Sequence, residues 1–161
     1  MAKFIGEKNY EHGSSEKTGI LLTNLGTPDK PTAKAVKPYL REFLSDPRVI
    51  EIPNFFWQII LRGIILQIRP KKSAKTYSTV WTEEGSPLLV IANKQLNLVK
   101  KKLELSHPNS EVELAMRYGN PSIESALLKL QKKQIRRLLV LPLYPQYSAA
   151  TTASTFDAVT N

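Results

Sequence analysis

Three short apolar runs, each ending in a cluster of turn residues, limit what this chain can become. Gly19–Leu25 (GILLTNL) stops at Gly26, Thr27, Pro28 and Asp29, and Val112–Tyr118 (VELAMRY) stops at Gly119, Asn120, Pro121 and Ser122. Arg137–Leu143 (RLLVLPL) runs into the stretch LPLYPQYSAATTAS, which spends two prolines, two tyrosines and a series of small or hydroxylated residues. Runs this short and rich in Leu, Ile or Val suit strands buried on both faces.

Helical patterns fill the intervals. Leu88, Ala92, Leu96, Val99 and Leu103 recur at spacings of three and four, then stop at Ser106, His107, Pro108 and Asn109. Asn120 can cap a helix that opens with Pro121 and buries Ile123, Leu127, Leu128 and Leu130. A further helix is expected over Ala33–Leu44, starting late or kinking at Pro38. Strands alternating with helices predict an α/β fold, a parallel sheet with helices on its faces. Ligands of such sheets bind beyond the carboxyl ends of the strands, where all three unusual loops fall.

At 161 residues, 42% apolar and 23% charged, the chain fits one globular domain with a real core. It has no cysteine, which excludes disulfides and thiolate metal sites. The net charge of +9 fits an anionic partner, or solubility alone. Residues 1–18 are polar and mixed in charge, with no apolar secretory core, so a flexible tail and a cytoplasmic location are expected. His12 and His107 stand apart from other metal ligands, no Gly-rich phosphate loop is present, and no nucleic-acid module is recognisable.

Between the first two strands lies a basic, apolar insert at 53–81, with no acid from Ile52 to Thr82. On a helical wheel Asn54, Gln58, Arg62 and Arg69 share one stripe, and Phe55, Phe56, Trp57, Ile60, Ile64 and other apolar side chains cover most of the rest. The apolar part is too short for a membrane span, which takes about 20 residues. Three placements stay open: a helix in the membrane interface, a lip over an apolar ligand, and a core helix packed on the sheet.

Six motifs in order, LLTNLGTPDKPT, YLREFLSDPRV, RPKKSAKTY, GSPLLV, LAMRYGNPSI and LPLYPQYSAATTAS, closely resemble the amino-terminal half of bacterial ferrochelatases. The resemblance covers the chain from Gly19 onward and implies a Rossmann-like, three-layer half of a two-domain chelatase fold. The implied reaction is insertion of ferrous iron into protoporphyrin IX, giving protohaem in haem biosynthesis, with both reactants as substrates and no resident cofactor. By the same resemblance, Leu25 lies against a porphyrin face, Arg69 and Tyr77 lie near the propionates, and Ser86 contacts the ring. Arg117 and Tyr118 belong to the wall on the metal side, supported by the loop of Tyr144, Gln146 and Tyr147. The insert corresponds to a lip for porphyrin entry and peripheral contact with the inner membrane.

The resemblance places the family's catalytic histidine and a later glutamate in a second domain, whereas this sequence ends at Asn161, inside an expected helix over Ser154–Thr160. No catalytic residue and no metal ligand is therefore assigned here. The expectation is a substrate wall over 19–161, truncated before that missing domain and inactive alone. The rival expectation is a non-catalytic domain that holds a tetrapyrrole or docks on a membrane surface.

Overall fold

The computed structural model describes Gly13 and residues 16–160. Strand β1 (Lys17–Thr27) lies at the centre of a three-stranded sheet, with β2 (Ser110–Gly119) on one side and β3 (Ile135–Pro142) on the other. Both pairings are parallel. The first strand begins two residues earlier than its apolar run because Thr18 already pairs with Ser110, so the expected tail ends before Lys17. Apart from Gly13 and Glu16, the rest of that tail, His12 included, lies outside the described residues.

Adjacent residues of a strand point to opposite faces, which builds two cores from one sheet. Leu22, Val112, Leu114 and Met116 meet Ala92 of α4 (Pro87–Ser106) on one face. Leu21 and Ala115 meet Ile123, Ala126 and Leu130 of α5 (Ile123–Lys132) on the other. Fully burying such a side chain contributes about 1.5–3 kcal/mol. The fold is the expected three-layer α/β arrangement.

The start of α5 differs from the sequence expectation. Its cap is Ser122, whose Oγ accepts the Ser125 amide at 3.1 Å, while the Asn120 side chain donates to Asp29 instead. The helix therefore opens at Ile123, and the phase buries Ile123, Ala126 and Leu130 while Leu128 faces solvent. Helix α1 (Ala33–Ser45) is capped by Thr32 and carries an exposed Pro38 inside it. It does not start late.

A third apolar cluster sits at the carboxyl end of the sheet. Val36, Tyr39, Leu40 and Leu44 of α1 pack with Tyr118 of β2 and with Leu61 and Leu66 of the insert. The insert is one helical run: α2 (Asn54–Ile60), a π-helical turn (Leu61–Ile65) and α3 (Leu66–Val80). It packs on α1 rather than on the sheet face, which removes the core-helix placement.

Candidate functional site

At the sheet's carboxyl end the backbones of β1 and β2 approach too closely for side chains. Gly26 has φ +110°, and a Cβ there would lie 1.8 Å from the Tyr118 carbonyl oxygen. Gly119, at φ +82°, would put one 2.8 Å from the Thr27 carbonyl. Only glycine accepts both the conformation and the approach.

Beside this junction a carboxylate gathers the polar groups. Asp46, just past α1, is buried, and its Oδ2 accepts from Arg117 Nη2 at 2.6 Å, Tyr118 Oη at 2.8 Å and Ser154 Oγ at 2.5 Å. Its Oδ1 accepts the Arg48 amide at 2.8 Å. Burial alone would raise the Asp46 pKa, but Ser154, Tyr118, the Arg48 amide and the Arg117 charge together hold it below the ordinary carboxylate value. Burial pushes the Tyr118 hydroxyl well above the ordinary phenol range, so it stays a proton donor. Arg117 also donates through Nε to the Ser154 carbonyl at 2.9 Å and lies 4.6 Å over the Tyr118 ring.

Ser154 opens α6 (Ser154–Thr160), directly after a second π-helical turn at Ala149–Ala153. The hydroxyl-rich loop thus carries Ser154 to the Asp46 network. Tyr144 in the same loop keeps its hydroxyl buried beside Thr155, whereas Gln146 and Tyr147 are exposed. The Thr23 and Thr27 hydroxyls of β1 are buried and have no hydrogen-bond partner among the described residues.

The insert presents two characters. Trp57 turns inward and donates through Nε1 to the Leu44 carbonyl at 2.6 Å, pinning the run to α1. Phe55 and Phe56 are 74% and 63% exposed, and Ile59, Ile60, Ile64 and Ile68 are exposed with them. No described helix is long and apolar enough to cross a membrane.

Asn54, Gln58 and Arg62 form the expected stripe, linked by hydrogen bonds of 3.2 and 3.1 Å. Arg69 leaves it. In the π-helical turn the Leu66 amide reaches back to the Leu61 carbonyl, and this wider turn shifts the phase of every later residue. Arg69 instead shares a groove of about 480 Å³ with Ile64, Ile65, Ile68, Lys72, Ser73 and Thr76.

The residues singled out from the sequence thus fall into three adjoining groups. Leu25 and Tyr77 pack in the aromatic cluster at the sheet end, Tyr77 edge-on to Tyr39 with ring centres 6.2 Å apart. Arg69 lies in the isoleucine groove, and Arg117 and Tyr118 lie in the Asp46 network. Tyr118 is fully buried, so in this conformation no face of its ring is open to a ligand. Ser86 is buried just before α4. Sequence reasoning missed Asp46 and Ser154, although both stand inside quoted motifs; no local signal joins residues 108 apart. His107 is exposed at the opposite, amino end of β2, bonded to Ser106. Among the described residues no group of three or more His, Asp or Glu is placed to hold a metal.

Residues 17–161 match the family model described as Ferrochelatase. This chain belongs to the ferrochelatase family. A relative named ferrochelatase from Thioalkalivibrio sulfidiphilus is 60% identical over 158 residues, which is 98% of this chain and 43% of the relative. The ferrochelatase of Idiomarina loihiensis is 55% identical with the same coverage, and ferrochelatase 2 of Shewanella oneidensis is 56% identical over 92% of this chain and 45% of its own length. The alignment reaches into the leading segment, which the motifs alone left out of the resemblance. The chain spans less than half the length of these ferrochelatases.

Proposed function

We propose that this chain is the porphyrin-facing amino-terminal portion of an enzyme that inserts ferrous iron into protoporphyrin IX, yielding protohaem for haem biosynthesis. The observation that carries this reading is the groove along the insert, where Ile64 and Ile65 of the π-helical turn and Ile68 of α3 adjoin Arg69 and Lys72, in a chain of the ferrochelatase family. A porphyrin is an apolar disc with two carboxylates, and it asks for such walls and such cations. A guanidinium fits a carboxylate better than an ammonium does, because its planar fork donates two parallel bonds.

Metalation must also remove two pyrrole protons at the ring centre. The Asp46 network is suited to bracing a wall, not to taking those protons: its carboxylate is held low in pKa and is engaged by four donors. The base and the iron-delivering carboxylate are assigned to the part of the relatives beyond the aligned portion, and the chain alone is proposed to be inactive. In an anaerobic assay with ferrous iron and protoporphyrin, haem formation by the 161-residue chain well above the protein-free rate would contradict this. The exposed apolar row of the insert supports a lip resting on the cytoplasmic face of the inner membrane, where a poorly soluble substrate would be collected.

The propionate assignment is tested in the two-domain enzyme, titrated with protoporphyrin and with its dimethyl ester. Arg69→Ala is expected to weaken binding of the free acid by about 1.5–3 kcal/mol, the range for a hydrogen bond to a charged group, and to leave the ester nearly unaffected. Lys71→Ala, outside the groove, should cost at most about 1 kcal/mol. Equal losses for acid and ester would show that Arg69 acts through the fold.

A further inference from the structure

A second groove, on the other side of the insert, is lined by Lys34, Lys37 and Arg41 of α1 and by Arg62, Leu66 and Gln67 of the insert, and encloses about 480 Å³. The three α1 cations follow at spacings of three and four and so share one helix face. Among the described residues no carboxylate lies within 4 Å of any of the four cations. Their hydrogen bonds go to neutral amides: Lys37 to Gln67 at 3.4 Å and Arg62 to Gln58 at 3.1 Å. The acids of the adjoining cavity, Asp29 and Glu42, are engaged by Asn120 and by the Gly119 amide. Four like charges around one concavity repel each other, and a bound anion relieves that repulsion.

Position decides which anion. Arg62 lines this groove and also the apolar strip of Asn54, Phe55, Gln58 and Ile59. Cations bordering a row of exposed Phe and Ile side chains complement the surface of an acidic bilayer, where phosphates sit directly above hydrocarbon. We infer that the groove between α1 and the insert is a binding site for the phosphate of acidic phospholipid headgroups, occupied while Phe55, Phe56 and Ile59 enter the bilayer. The site rests on the proposed membrane-facing lip, and it adds a lipid class to that contact.

The test is flotation of the full-length protein with vesicles of phosphatidylcholine, and with vesicles of equal parts phosphatidylcholine and phosphatidylglycerol. The triple variant Lys34→Gln/Lys37→Gln/Arg41→Gln should lose about 100-fold in affinity for the acidic vesicles. The single variant Lys37→Gln should lose about fivefold. Neither should change binding to neutral vesicles. Lys101→Gln/Lys102→Gln/Lys129→Gln removes the same charge from exposed positions on α4 and α5 and should lose less than about threefold. An equal loss in that control would overturn the site, as would wild-type indifference to phosphatidylglycerol. Displacement by soluble glycerol phosphate would give the groove to a free phosphate, and a matching loss of protoporphyrin affinity would give it to the substrate; either result overturns the lipid assignment. Phe55→Ser/Ile59→Ser reports on the lip separately: unchanged binding to neutral vesicles would remove the membrane-facing lip, whereas the groove stands or falls on the acidic ones.

Discussion

The Asp46 carboxylate ties together α1, β2 and the start of α6 through Arg117, Tyr118 and Ser154. Removing one partner of a buried, hydrogen-bonded charge leaves the others uncompensated, which typically costs 3–5 kcal/mol. Asp46→Ala is therefore expected to destabilise the domain by about 3 kcal/mol in urea unfolding. The same network predicts an acid limb. Because the folded pKa of Asp46 lies below its unfolded value, its contribution is complete above the ordinary carboxylate range and is lost as pH falls through the folded pKa. Asp46→Asn should flatten the loss of stability below about pH 4 relative to wild type; an unchanged slope there would remove Asp46 from the account. Arg117 and Tyr118 stood out in the sequence because the motif LAMRYGNPSI carries them. Their shared anchor was not, since it lies 71 residues from Arg117 and nothing local marks it as buried.

The helical run of the insert shows where reading by periodicity stops. The stripe of Asn54, Gln58 and Arg62 was legible because it obeys the α-helical period, and Arg69 fell out of it because the π-helical turn does not. Gly63 lies within that turn with open space around its α-carbon. Gly63→Ala should be tolerated and should stabilise the helix by up to about 1 kcal/mol, measured by thermal unfolding. Gly26→Ala should do the reverse and abolish soluble expression, because its Cβ would collide with a backbone carbonyl that no rotamer can move. Both are single glycines in the sequence; only the neighbouring strand separates them. The strands were legible to within two residues at each end, but the expected burial on both faces holds only for β1 and β2; β3 has no buried residue among those described, because an apolar run records what a strand can bury and not what covers it here.

At the scale of the molecule, β3 pairs only with β1 among the described strands, and Leu138, Leu139 and Leu141 on it are exposed. With the apolar row of the insert, this leaves two uncovered surfaces of the kind that drive association. The 161-residue chain should self-associate or require detergent, and a clean monomer in sedimentation at high concentration without detergent would refute this. The layer order was legible from the alternation of runs and helical patterns, but the placement of the insert on α1 was not, because its composition suits several apolar surroundings equally. The central position of β1 also sets a schedule. Of the described strands, the first to be made is the one both others must flank, and its first neighbour ends about 90 residues later; at ~5–20 residues/s that is a wait of about 5–18 s. Nascent chains halted after α4 should remain open to protease across Leu21 and Leu22, and protection should arise when β2 emerges. During synthesis, therefore, the sheet does not grow outward from an edge but condenses late around a strand that has waited for its first partner.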